Sequence, residues 1–210
     1  MARDAVHLAL NVDLLEHNIR KLGLDVIRVH SKAPDRQTYL IRPDWGRRLN
    51  EASRSQLSAQ NASLDFLIVV GDGLSSMAVE RHATPLIAEI QKIIPSQWHM
   101  GAVIMASQAR VALADEVAEL MGARMVAMLI GERPGLSSPD SLGVYLTYNP
   151  KVGCSDADRN CISNVRPEGL DYALAAKKLI WLAKEAMRIK VSGVALKDES
   201  DAIQIEVQGT

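Results

Sequence analysis

The 210-residue sequence sets 24 Lys and Arg against 25 Asp and Glu, a formal net charge of −1, so it has no basic excess of the kind that a dedicated nucleic-acid binder uses. Hydrophobic residues make up 48% and charged residues 23%, ordinary globular usage that excludes wholesale disorder. Aromatic residues are 4%, too sparse for stacking platforms on single strands, and a chain of this length folds without needing disulfides or a structural metal.

From Asp4 to about Leu22 the apolar residues Val6, Leu8, Leu10, Leu14, Leu15 and Ile19 fit a helix with charges between them, and no signal-peptide core precedes it. Asp25–His30 and Gln37–Arg42 read as short strands separated by the turn signal Ala33-Pro34-Asp35. Pro43-Asp44 opens the next predicted helix, with Asp44 as its cap. Residues 1–60 thus read as a small helical and strand appendage.

Residues 61–196 have a clearer rhythm. Leu64–Val70 is a continuous apolar run, the pattern of a strand covered on both faces. It ends in Gly71-Asp72-Gly73 and is followed by a helical pattern to about Ile94. Ala102–Met105 is a short strand, Leu113–Met121 a helix closed by Gly122, and Ala123–Ile130 a second buried strand ending in Gly131-Glu132-Arg133-Pro134-Gly135. Leu142–Tyr148 is a further strand and Gly169–Lys190 the final helix. Residues 197–210 form a polar tail.

Strands alternating with helices predict an α/β fold, a Rossmann-like layered arrangement with a mostly parallel sheet flanked by helices. Ligands of such sheets bind beyond the carboxyl ends of the strands, which selects the loops Gly71–Ser75 and Gly131–Ser138. The apolar runs Phe66–Val70 and Met125–Ile130 are far too short to span a bilayer. The two cysteines, Cys154 and Cys161, read as reduced thiols, and the whole as a soluble intracellular protein with no membrane partner.

The loop Gly71–Ser75 can hold polar ligand oxygens at a helix start, yet Ser76 fills the third glycine slot of a dinucleotide fingerprint and there is no Walker lysine. Ser75 as a nucleophile lacks a downstream base, since the last histidine is His99. Glu132 and Arg133 at a strand end can accept from and donate to an amide-rich ligand, or form a solvated ion pair above a proline turn. Asp156-Ala-Asp-Arg-Asn-Cys161 lacks the glycine and terminal glutamate of a calcium loop, and two cysteines without a nearby histidine make no zinc site. His82 and His99 are isolated, and Trp45 and Trp181 fall in helical patterns as core or interface anchors.

Four stretches together carry a resemblance: TYLIRPDWGRRL (Thr38–Leu49), VVGDGLSS (Val69–Ser76), ARVALADEVAELMGARMVAMLIGERPGL (Ala109–Leu136) and DADRNCISNVRPEG (Asp156–Gly169). In this order the sequence resembles the small (light) subunit of ethanolamine ammonia-lyase, from about Arg3 to Leu196, with GERPGL and DRNCISN the most specific pair. The resemblance implies a non-catalytic subunit of an adenosylcobalamin-dependent lyase that turns ethanolamine into acetaldehyde and ammonia. Its partner would be the large barrel subunit, in a hetero-oligomer with cobalamin at the subunit interface.

By motif matching, Val111, Glu132 and Cys161 fall on the family's cobalamin-contact positions, with no catalytic residue and no metal ligand of the chain's own. Val111 at a helix start offers a side-chain contact and a backbone N–H, Glu132 an acceptor for corrin amides, and Cys161 a small side chain that lets backbone approach. No D-x-H-x-x-G loop is present, which fits a cobalamin that keeps its own dimethylbenzimidazole base. The implied location is the cytoplasm, including an ethanolamine-utilisation microcompartment. Family members usually carry a longer amino-terminal region with an arginine- and glycine-rich segment; here the sequence starts after it, as a naturally short or a truncated version. Read without the resemblance, the same loops suit a stand-alone α/β module for a nucleotide or other small ligand, or a chain that only braces an assembly.

Overall fold

The computed structural model describes residues 9–60, 63–135 and 140–200. Helix α1 spans Val12–Arg20 and begins where the Asn11 side chain accepts the Leu14 N–H at 3.1 Å. Residues 4–8 of the predicted helix lie outside the described ones. Strand β1 (Val26–His30) follows as expected.

The predicted strand Gln37–Arg42 is instead helix α2 (Arg36–Ile41). Its Thr, Tyr and Ile favour a strand by composition, but Asp35 accepts the Thr38 N–H at 2.8 Å and starts a helix. Asp44 caps nothing: it pairs with Arg42 at 2.7 Å ahead of a single 3-10 turn, Trp45–Arg47. The next helix, α3 (Glu51–Ser58), is started by Asn50, which accepts the Ser53 N–H at 2.9 Å.

Strand β2 (Leu67–Gly71), helix α4 (Ser76–Ile93), strand β3 (Val103–Ser107), helix α5 (Leu113–Leu120) and strands β4 (Met125–Gly131) and β5 (Leu142–Tyr148) fall close to their predicted places. Strand β6 (Arg159–Val165) lies where the sequence reading sees a polar loop, and helix α6 (Tyr172–Ile189) closes the order. β6 is an edge strand, so only Ile162 and Val165 need to be apolar and buried, and its first residue is buried as half of an ion pair.

The six strands form one sheet in the order β1-β3-β2-β4-β5-β6. β1, β3, β2 and β4 are parallel neighbours, while β5 runs antiparallel to β4 and β6 antiparallel to β5. The sheet is therefore mixed, where the sequence reading expects a Rossmann-like, mostly parallel one. Connection length is the cause: only residues 132–141 join β4 to β5, short of the roughly dozen residues that a parallel crossover needs. β1, from the amino-terminal segment, pairs with β3 from Val26 opposite Val103 to His30 opposite Ser107.

Helices cover both faces. α1, α4 and α6 pack against Phe66, Ile68, Val70, Met105 and Leu129, and α3 and α5 against Leu67, Val69, Ile104, Val126 and Met128. Every residue of β2 and β4 is buried, which explains their unbroken apolar runs. On the α5 side the cover thins beyond β4, leaving Tyr145 half-buried and Cys161, directly opposite it on β6, exposed.

Candidate functional site

The loops after β2 and β3 leave toward opposite faces, one into α4 and the other into α5, so a crevice opens at the carboxyl edge of the sheet between them. Asp72 in the first loop turns inward and is 4% exposed. Its carboxylate accepts the N–H groups of Gln108 and Ala109, each at 2.9 Å, and lies 3.6 Å from the Arg36 guanidinium. Burial raises its pKa against these favourable contacts. Asp72 is thus a strut that fixes the chain just ahead of Arg110 and Val111.

Gly73 takes φ +57, and a Cβ there would lie 2.3 Å from the Gly131 carbonyl oxygen. A Cβ on Gly131 would lie 2.0 Å from the Ser75 carbonyl oxygen, and the Leu74 N–H donates to Gly131 O at 2.9 Å. The β2 loop and the end of β4 therefore meet backbone to backbone, with no side chain between them.

The amino-terminal segment clamps the same place. Tyr39 of α2 is fully buried and donates its hydroxyl to Ala109 O at 3.1 Å, and burial pushes its pKa up to about 12. The Arg110 guanidinium stacks 4.3 Å from the Tyr39 ring centroid, and the Arg110 N–H donates to Gly46 O at 2.8 Å.

Between these loops lies a cleft of about 420 Å³ whose lining includes Tyr39, Leu74, Val111, Ile130, Glu132 and Tyr145. Glu132 is held in place from two sides: it accepts the Ser141 hydroxyl and, at 3.3 Å, the Asn164 N–H. Gly143 leaves room for it, since a Cβ there would lie 2.9 Å from Glu132 Oε1. Val111 and Glu132 thus share the cleft directly. Cys161 stands beside it, opposite Tyr145 across β5 and β6 and within hydrogen-bonding reach of the phenol. Partial desolvation raises the Cys161 thiol pKa, the Tyr145 hydrogen bond opposes that rise, and the Glu132 charge adds to it. Desolvation, then Cys161, raises the Tyr145 phenol.

A second cleft of about 430 Å³ adjoins the first and shares Arg110 and Val111 with it; Arg47, Ala112, Asp156 and Arg159 also line it. Sequence reasoning missed Tyr39, Arg47 and the role of Asp72, because each acts across a long stretch of chain: the Tyr39–Ala109 bond spans 70 residues. Of the predicted loop Gly131–Ser138, Leu136, Ser137 and Ser138 lie outside the described residues.

The remaining candidates serve elsewhere. Ser75 is the buried N-cap of α4, accepting the Ala78 N–H at 3.3 Å. His82 is buried, with Nδ1 2.8 Å from the Tyr172 hydroxyl and Nε2 3.5 Å from Asp140, and burial lowers its pKa despite that carboxylate. Cys154 and Cys161 are free thiols. Among the described residues no group of three or more His, Cys, Asp and Glu side chains converges on a common point.

The family model for ethanolamine ammonia-lyase light chains matches residues 1–197. The chain belongs to the ethanolamine ammonia-lyase light-chain family. It is 52% identical over 210 aligned positions to the ethanolamine ammonia-lyase small subunit of Pseudomonas syringae pv. tomato, a match covering 98% of this chain and 73% of that one. The small subunits of Azotobacter vinelandii and Pseudomonas putida are 51% and 52% identical over 214 positions, covering 100% of this chain and 79% of each. In this light chain the segments VVGDGLSS and GERPG (Gly131–Gly135) form the facing loops of the cleft, and DRNCISN runs into β6 beside it.

Proposed function

We propose that this chain is the small subunit of an adenosylcobalamin-dependent ethanolamine ammonia-lyase, which converts ethanolamine to acetaldehyde and ammonia, and that its cleft closes over the cofactor at the interface with a large catalytic subunit. The observation that carries this reading is the lining of the cleft, where Val111 and Glu132 share one space and Tyr145 with Cys161 flanks it. Leu74, Val111, Ile130 and the Tyr145 ring suit a broad macrocycle, while Glu132 and Arg133 suit the amides at its rim. When bound, the cofactor supplies radical chemistry by homolysis of its cobalt–carbon bond, with the cobalt and its dimethylbenzimidazole base carried by the cofactor itself.

The residues of this chain bind and orient; none is assigned a catalytic role. Glu132, already pinned by Ser141 and Asn164, offers its carboxylate at a fixed angle to amide N–H groups. Val111 presents an apolar contact ahead of α5, and Cys161 is small enough to keep the β6 side of the cleft open. In this reading residues 61–196 form the cobalamin-contacting unit, and residues 1–60 support it through Tyr39. We place the hetero-oligomer in the cytoplasm or in an ethanolamine-utilisation microcompartment. Among the described residues no helix is long and apolar enough to cross a membrane.

Co-expression with a large subunit tests the proposal. The pair co-purifies and releases acetaldehyde from ethanolamine when adenosylcobalamin is added, whereas the chain alone is inactive. Failure to co-purify together with absence of turnover overturns the reading.

A further inference from the structure

The second cleft has a chemistry that the first does not explain. Arg47 is exposed, and its guanidinium meets no carboxylate among the described residues. Arg110 and Arg159 each hold an Nε–H that is buried without an acceptor. The Arg159 side chain is only 2% exposed, and its charge is met by Asp115. α5 begins at this cleft, and its N-cap, Ala112, supplies no side-chain acceptor. Among the described residues no acceptor reaches the Val111 or Ala112 N–H groups.

Of the acidic residues, Asp156 lines the cleft with a fully exposed side chain 3.8 Å from Arg159, and Asp115 lies behind it, bound to Arg159. Arg47 and Arg110 against Asp156 leave a single excess positive charge, reinforced by the positive end of the helix. Buried N–H groups without acceptors need a partner, and an anionic oxygen in the cleft would supply one. One negative charge, several acceptor oxygens and a position beside the first cleft describe a phosphodiester.

We propose that the cleft between Arg47, Arg110 and the start of α5 is a phosphodiester subsite that takes the nucleotide-tail phosphate of the cobalamin whose ring occupies the neighbouring cleft. The two clefts share Arg110 and Val111, so one extended ligand reaches both without leaving the protein surface. The proposal rests on the functional reading above.

The test uses the complex with the large subunit, titrated spectroscopically with cyanocobalamin and with dicyanocobinamide, which lacks the phosphodiester and the base. Arg47→Gln and Arg110→Gln each weaken cyanocobalamin by about tenfold. They leave dicyanocobinamide affinity unchanged, and Arg110→Lys recovers part of the loss. Circular dichroism of the Arg47 variant, whose side chain is exposed, matches the wild type. If the variants weaken both corrinoids equally or neither, the inference falls while the functional reading stands. If the wild-type complex binds neither corrinoid, both fall. A thermal shift with inorganic phosphate that Arg47→Gln abolishes, without any change in cyanocobalamin affinity, assigns the cleft to free phosphate and overturns the tail assignment.

Discussion

Arg159 at the head of β6 and Asp115 in α5 form a two-point ion pair at 2.6 and 2.8 Å, with side chains 2% and 1% exposed. Arg159 also donates to Thr147 Oγ1 at 3.1 Å and to Cys154 O at 2.9 Å. It ties the edge strand, the preceding loop and α5 into one unit. The arginine of the DRNCISN segment is therefore an anchor for the strand that carries Cys161. Removing either partner leaves a buried charge uncompensated, so Arg159→Met costs about 3–5 kcal/mol in a urea titration. Pairing it with Asp115→Leu recovers most of that loss. A single variant within about 1 kcal/mol of wild type shows that the pair does not anchor β6.

Glu132 is exposed enough to meet a ligand yet held by two internal donors. Glu132→Gln keeps the shape and removes the charge. Its expected effect is a roughly tenfold loss of cobalamin affinity in the assembled enzyme, with folding stability within about 1 kcal/mol of wild type. Unchanged affinity in an equilibrium titration removes Glu132 from the site.

The backbone contact between the β2 loop and the end of β4 leaves no space for a methyl group. Gly131→Ala must part Gly131 from Ser75, at a cost of about 3 kcal/mol. Gly153 has φ +108 with nothing within 4 Å of a Cβ, so Gly153→Ala carries only backbone strain, about 1–2 kcal/mol. Thermal unfolding of the two variants checks the order, and equal losses contradict the close contact.

Asp65 accepts the His99 N–H at 3.0 Å and faces Arg124 at 3.2 Å, and these contacts hold its pKa below the ordinary 3.8. The unfolded chain therefore takes up the proton first as the solution is acidified. The stabilisation is complete above 3.8 and is lost as pH falls through the lower folded value. The stability gap between wild type and Asp65→Asn narrows as pH falls below about 4. A gap that widens below that pH contradicts the assignment.

The interior strands and long helices were legible because their signals are local. β2 and β4 are unbroken apolar runs, and Gly122 ends the α5 pattern. α2 was not legible: in a six-residue helix the Asp35 cap outweighs a strand-like composition. β6 was hidden because an edge strand needs few apolar residues and Arg159 is buried only through Asp115, 44 residues away. The loop holding Glu132 followed from the strand-end rule, whereas Val111 and Cys161 were singled out by the motif resemblance alone. Tyr39 and Asp72 did not emerge, because their partners are fixed by the fold and not by spacing.

Where Gly73 and Gly131 abut, the bottom of the cleft is made of peptide groups. Trimming side chains one by one to alanine removes nothing from such a surface and returns silence there. Only substitutions that add bulk register it, so a deep mutational map of this protein will draw the cleft in negative, as positions intolerant of growth.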